Sequence, residues 1–186
     1  YSHLAMADCD IDGEGKVVTA LQQQRFEKLM NKLPCKEKSL HFHLANSAGT
    51  LGNKDLHYDM VRVGLAIYGQ NPLPCLSWDL GFRQAMSVKA RVTLLRTVPE
   101  GTGVGYGHTF ITQRKTRLAV VGIGYADGIS RALSGKIFAL YQGSYLPQVG
   151  TIAMDQLVLD ITDNQDIKVG NIVTLLGEDG SQSIEA

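Results

Sequence analysis

The sequence predicts an α/β-plus-β chain: a parallel α/β unit over residues 1–83, then an all-β domain over 84–186. Up to residue 83, short apolar runs alternate with segments of helical spacing, the rhythm of a parallel α/β fold. Beyond it the helical spacing vanishes, and runs of period two take over between turn residues. Glycine adds a third sign. There are 20 in 186 residues, above the ~7% of average usage. They stand singly between apolar runs, as many turns and close backbone approaches require.

Val17, Leu21, Phe26, Leu29, Met30 and Leu33 include the three- and four-residue spacings of one helix face, and Pro34 follows. Leu40-His41-Phe42-His43-Leu44 predicts a strand with Leu40, Phe42 and Leu44 on one side. Asn46-Ser47 suits the cap of a short helix that Gly52-Asn53 stops. Met60-Val61-Arg62-Val63 predicts another short strand, ending in Gly64. The break between the parts falls around Trp78–Arg83, after Asn71-Pro72-Leu73-Pro74. Met86 to Val98 then alternates, with Val88, Ala90, Val92 and Leu94 on one side and Lys89, Arg91 and Thr93 on the other. Arg117 to Gly124 is a continuous apolar run, which predicts a strand buried on both faces. Ile137–Tyr141 and Tyr145–Val149 flank Gln142-Gly143-Ser144, a hairpin signal. Leu157–Ile161 and Ile172–Leu176 complete a small barrel or sandwich.

Lys plus Arg and Asp plus Glu each number 18, so the formal net charge is zero. That argues against a nucleic-acid partner, which needs a basic excess or stripe. The apolar fraction of 44% argues against disorder. No apolar run reaches the ~18 residues of a membrane span. Cys9, Cys35 and Cys75 are odd in number, far apart and in no metal-type spacing. Reduced thiols in a cytoplasmic protein, with no metal, are the plain reading. The opening Tyr-Ser-His-Leu-Ala-Met-Ala-Asp lacks the basic start and apolar core of a signal peptide. It reads as a strand end without an initiating Met, so a preceding segment is expected.

In a parallel α/β barrel, chemistry sits at the C-terminal ends of strands. His3, His43 and Arg62 fall at or near such places. Taken alone, each histidine reads more readily as a satisfied core side chain, and Arg62 equally as a structural ion pair; three at successive strand ends shift the reading toward a site. Asn46-Ser47-Ala48-Gly49-Thr50 offers a hydroxyl and free N–H groups at a helix start, which suits an anion. Arg62-Val63-Gly64-Leu65-Ala66 offers N–H groups in a glycine turn. A plain cap and a plain turn explain these two segments as well. In the β half, Tyr106 stands between Gly105 and Gly107, where another backbone or a ligand could come close. A turn with a packed aromatic fits that pattern too.

Six strings together are more specific: Ser2-His3-Leu4-Ala5-Met6-Ala7-Asp8, His43-Leu44-Ala45-Asn46-Ser47-Ala48, Val61-Arg62-Val63-Gly64-Leu65-Ala66-Ile67-Tyr68-Gly69, Val104-Gly105-Tyr106-Gly107, Gly124-Tyr125-Ala126-Asp127-Gly128 and Val149-Gly150-Thr151-Ile152-Ala153-Met154-Asp155. In this order, and across nearly the whole chain, they resemble the pyridoxal-phosphate-dependent alanine racemases of fold type III. The resemblance implies the C-terminal part of a TIM-like (β/α)8 barrel followed by an all-β domain. It implies pyridoxal 5'-phosphate as cofactor, racemisation of L- and D-alanine, supply of D-alanine for peptidoglycan, and a homodimer with shared active sites.

It also implies roles. Tyr106 matches the tyrosine base that takes the α-proton of the L-amino acid on the partner's cofactor. His3 matches the histidine beside the pyridine ring, Arg62 the arginine at the pyridine nitrogen, and His43 the group that orients it. Ser47, Gly64 and Leu65 match phosphate-binding positions. Met154 matches the position whose N–H meets the substrate carboxylate, and Tyr125 a tyrosine at the substrate entrance. Chemistry agrees with these roles. An arginine does not give up its proton, so the ring nitrogen opposite it stays unprotonated and the cofactor is a weaker electron sink. That favours simple reprotonation over transamination. A free tyrosine ionises near ~10, so a tyrosine base needs cationic neighbours.

One departure is large. The family's cofactor-bearing lysine, the second base, lies in an early barrel strand, and no lysine here has that context. The arginine near the substrate carboxylate and a terminal tyrosine at the phosphate are not matched either. The expectation is a fragment without the lysine-bearing part and the extreme C-terminus, inactive by itself. A serine-preferring racemase of the same family and a non-catalytic remnant are the alternatives.

Overall fold

The computed structural model describes residues 1–9, 13–33, 40–73 and 81–185. The chain divides into two compact units, Tyr1–Ala85 and a second beginning at Met86. Pro34, Cys35, Pro74, Cys75 and the first half of the Trp78–Arg83 break lie outside the described residues. Among the described residues, no helix is long and apolar enough to cross a membrane.

The first unit holds helix α1 (Glu14–Met30), the short helix α2 (Ser47–Gly52) and 3-10 turns at Lys54–Leu56 and Leu65–Tyr68. Asn46 caps α2 as its sequence predicts: its side-chain oxygen accepts from the Gly49 N–H at 3.0 Å. The core is small, with Leu4, Phe26, Leu44, Ala45 and Leu56 buried and Met30, Phe42, Tyr58 and Val61 packed around them. The predicted helix face is only partly used. Phe26 and Met30 point inward, whereas Val17, Leu21, Leu29 and Leu33 are exposed. Phe26 and Met30 are one turn apart, and at 100° per residue Val17 and Leu21 fall on the opposite side of the helix.

The two strands expected at Leu40–Leu44 and Met60–Val63 form no ladder. The later segment donates two backbone bonds, Asp59 N–H to Phe42 O at 3.0 Å and Arg62 N–H to Ala45 O at 2.9 Å. Side chains take the groups a ladder would use. The Phe42 N–H donates to the Asp59 carboxylate at 2.7 Å, and the Arg62 guanidinium donates to the carbonyls of His43 and Leu44. The segment before His3 likewise forms no strand.

The second unit is antiparallel: β1 (Val88–Val98), β4 (Thr116–Val121), β5 (Phe138–Tyr141), β6 (Ser144–Val149), β7 (Leu157–Asp160), β8 (Ile172–Asp179) and β9 (Gln182–Ile184) form one sheet, and β2 (Gly103–Val104) pairs with β3 (Phe110–Ile111). The order β1-β4-β7-β6-β5-β8-β9, with a further β1–β8 pairing, closes six strands into a barrel with β9 as an appended hairpin strand. Of the barrel and sandwich left open by the sequence, the structure is the barrel. Closure removes free edges.

The barrel is filled by Val92, Ala119, Val121, Ala139, Leu146, Leu159 and Val173 with their neighbours. Each large one is worth about 1.5–3 kcal/mol of burial. β4 is buried on both faces, as its apolar run predicts: Ala119 and Val121 face the interior, while Leu118 joins Val98, Val104 and Val149 outside. The β5–β6 hairpin turns through Gln142 and Gly143 at φ 50° and 77°. The alternation of β1 fails at one place. Leu94, expected inside with Val92, is 52% exposed, and Leu95 packs on the core instead. A register shift between Val92 and Leu94 inserts one residue into β1. Such a bulge turns the following side chains over.

Candidate active site

In the first unit, Arg62 gathers three stretches of chain. One terminal nitrogen donates to His43 Nδ1 at 2.7 Å and His43 O at 3.2 Å. The other donates to Ser2 O at 2.7 Å and lies 3.4 Å from both His3 Nδ1 and Leu44 O. A guanidinium offers no lone pair, so His43 Nδ1 is the acceptor and the ring's proton sits on Nε2. Desolvation at its half-buried place, then the Arg62 charge, hold the His43 imidazole below its ordinary value. It is therefore neutral near pH 7, the form that can accept from Arg62. The Tyr1 ring stacks on His43 with centroids 5.2 Å apart, and the Arg62 guanidinium carbon stands 5.1 Å from the same ring's centroid. The Nε–H of Arg62 is the remaining donor and meets no acceptor among the described residues.

Two residues further on, the chain turns at Gly64 into the Leu65–Tyr68 turn. Ser47, buried at the start of α2, places its Oγ to accept from the Gly64 N–H at 2.9 Å and the Ala66 N–H at 3.3 Å. The Leu65 N–H between them meets no acceptor among the described residues. A Cβ on Gly64 would meet nothing within 4 Å, so open space lies beside these donors. The Ser47 hydroxyl proton and the Leu65 N–H, with the Gly64 and Ala66 N–H groups oriented beside them by Ser47 Oγ, suit an anion with several oxygens. The structure thus brings His3, His43 and Arg62 together as one group, and Ser47, Gly64 and Leu65 as another.

The second unit places the other three on one rim of the barrel through the segment after β6. Gly105 takes φ 72° and lies so close to Thr151 that a Cβ would come within 3.0 Å of its nitrogen. The Thr151 hydroxyl donates to the Tyr106 carbonyl at 2.8 Å. Three residues on, the Tyr125 and Ala126 N–H groups donate to the Ala153 and Met154 carbonyls at 3.0 and 2.9 Å. Gly124 lies against those same two carbonyls, leaving no room for a side chain. Tyr106, Tyr125 and Met154 all carry exposed side chains. The Met154 N–H meets no acceptor among the described residues, so it is a donor open to an anionic ligand.

Sequence reasoning missed three participants. Gln22 of α1 accepts from the Ala5 N–H and donates to His3 O, at 2.9 and 3.1 Å, and so fixes the segment that bears His3. The Ser2 carbonyl shares Arg62. Thr151 lay within a singled-out string but without a role. No local signal marks Gln22; Ser2 opens one of the singled-out strings but acts through its carbonyl, which no side chain announces, and a hydroxyl next to a glycine is a weak pointer to Thr151.

By fold the chain is of the α/β-plus-β class, a stretch of a TIM-like barrel run into an all-β domain. Solved structures of that class match it. The crystal structure of alanine racemase from E. faecalis superposes with a TM-score of 0.85 at 31% identity, over 98% of this chain and 47% of that one. An alanine racemase from Bartonella henselae with covalently bound pyridoxal phosphate superposes with a TM-score of 0.80 at 33% identity, over 95% and 46%. The alanine racemase of Prochlorococcus marinus is 58% identical over 99% of this chain and 48% of its own length. The family model "Alanine racemase, C-terminal domain" matches residues 85–186, and "Alanine racemase, N-terminal domain" matches residues 1–72. The chain belongs to the alanine racemase family, and it spans about half the length of the curated relatives it matches.

Proposed function

We propose that this chain supplies the pyridoxal 5'-phosphate cradle and one catalytic base of an amino-acid racemase that interconverts L- and D-alanine. The observation that carries the reading is Arg62, a cation held by a neutral His43 with one N–H left to offer a ring nitrogen. The residues present fit the cofactor: Arg62 with His3 for the ring, and Ser47, Gly64 and Leu65 for the phosphate. When bound, the cofactor draws electrons from the α-carbon and makes its proton removable. Arg62 keeps its own protons, so the ring nitrogen receives a hydrogen bond and no proton, which limits side reactions. Tyr106, as the phenolate, would take the α-proton of a substrate held in the partner subunit's site of a homodimer and so become the neutral phenol. The Met154 N–H holds the substrate carboxylate, and Tyr125 stands at the entrance. Racemisation needs a second base on the opposite face of the α-carbon. In this reading it is the cofactor-bearing lysine, whose sequence context the 186 residues do not contain. The two parts divide the work: 1–83 binds the cofactor, and 84–186 carries the base. The product serves cytoplasmic supply of D-alanine for peptidoglycan.

The test is a racemase assay on the full-length polypeptide that carries these residues, loaded with pyridoxal phosphate, with alanine and serine as substrates. Faster turnover of alanine supports the reading. Faster turnover of serine moves it to a serine racemase. Turnover of neither, with no lysine adduct trapped by borohydride, overturns it.

A further inference from the structure

We propose that Thr151, backed by Thr109, is the positioning residue that holds Tyr106 on the barrel rim. The inference rests on Tyr106 being the base. Packing does not place that ring, which is 70% exposed. Local backbone preference does not place it either: Gly105, Gly107 and His108 take φ 72°, 71° and 44°. Gly105 and Gly107 are free to take many other angles, and His108 is strained at its left-handed φ, so the loop keeps this shape through a hold from outside it.

Thr151 is that external hold. Its Oγ1 donates to the Tyr106 carbonyl at 2.8 Å and lies 3.1 Å from Thr109 Oγ1. A hydroxyl has one hydrogen, so with that hydrogen on Tyr106 the Thr109 hydroxyl must be the donor to Thr151. The bonds run Thr109 to Thr151 to the Tyr106 carbonyl, each polarising the next. Both ends of the loop from Tyr106 to Thr109 are thus tied to one side chain. Thr151 itself stands on a stiff support. The adjacent Ile152 is fully buried in the barrel, and its N–H donates to Ser134 Oγ at 3.0 Å. Gln148, also buried, holds the Val149 and Gly150 carbonyls through Nε2, each at 2.9 Å, and accepts from the Gly135 N–H at 2.6 Å. The phenol is placed through its backbone, and its ring is left free for a substrate.

The test compares Thr151→Val, Thr151→Ser, Thr109→Val and Tyr106→Phe in the full-length protein. It reads kcat, KM, and amide hydrogen exchange over Tyr106–His108, the last without need of turnover. Thr151→Val is expected to lower kcat by about tenfold or more with KM within about twofold, because small misplacements of a reacting group are costly. Exchange at the loop should quicken, and Thr151→Ser should restore both. Thr109→Val should give the same pattern more weakly, and it decides the matter if Thr151→Val does not fold. Unchanged kcat and exchange in the valine variants, with Tyr106→Phe inactive, overturn the positioning role alone. An active Tyr106→Phe overturns the base assignment and this inference with it.

Discussion

The two units hold their candidate residues in opposite ways. In the first, the candidate side chains are themselves the mortar: Arg62 bonds three stretches of chain, and Ser47 ties a helix start to a turn. In the second, a closed apolar barrel holds the fold, and Tyr106, Tyr125 and Met154 stand outside it, placed through their backbones. The difference matches what the proposed reading asks of each group. Residues that grip a ligand gain from being locked in place, because a loose donor loses entropy on binding. A residue that exchanges protons needs a free tip on a fixed base. Substitutions should therefore couple binding to folding in the first unit and separate activity from folding in the second.

The largest effect expected tests that separation. Tyr106→Phe should lower kcat in the full-length protein by about 10²–10⁴-fold, the usual worth of a general base. The melting temperature should hold, since the Tyr106 ring is 70% exposed and its phenol oxygen meets no partner among the described residues; a matching loss of melting temperature would break the comparison. Next, Leu146→Ala, at a fully buried barrel position, should cost about 2–5 kcal/mol in denaturant unfolding. Arg62→Gln should weaken cofactor binding, slow racemisation and raise the share of transamination product; an unchanged product ratio would contradict the electron-sink argument.

Arg62→Gln also carries a pH test. His43 is lowered by desolvation and then by Arg62, so the unfolded chain takes up this proton at higher pH than the folded one. The stability that the neutral imidazole contributes is complete above about 6.5 and is lost as pH falls from there through the lower folded value. Arg62→Gln should raise the His43 midpoint in an NMR titration and narrow that window. Asn46→Ala, which removes the α2 cap, should cost about 1 kcal/mol of stability in urea unfolding. The smallest effect belongs to Arg114→Ala. Its 2.7 Å bridge to Asp163 joins two well-exposed side chains, so chemical denaturation should register less than about 1 kcal/mol.

The six barrel strands were legible in the β half, because apolar patterns survive wherever a face is buried, whereas β2, β3 and β9, two or three residues long, are too short to carry one. Leu94 was misplaced since a single inserted residue in β1 leaves no mark in the pattern itself. In the first unit, apolar alternation predicted two strands that do not form a ladder, because the Asp59 and Arg62 side chains occupy its backbone groups. The α1 face was overread, as periodicity reports where apolar residues lie but not which neighbour covers them. Of the candidate site, the groupings of His3, His43 and Arg62, and of Ser47, Gly64 and Leu65, emerged from strings read together. The role of Thr151 did not, since it depends on a carbonyl 45 residues away in sequence.

One strand decides how this domain comes to be made. The first residues of β1, Val88 to Arg91, pair with β8, and its later residues, from Val92, pair with β4. During synthesis the partner of the later residues emerges early, whereas that of the first residues arrives only with Ile172–Leu176. At ~5–20 residues per second the ribosome leaves this edge open for seconds. For that interval the nascent chain carries an unsatisfied strand that any neighbouring chain could extend. A stall before Ile172 would thus produce a species primed to aggregate, and a chaperone acting on this domain would have its narrowest deadline at that point.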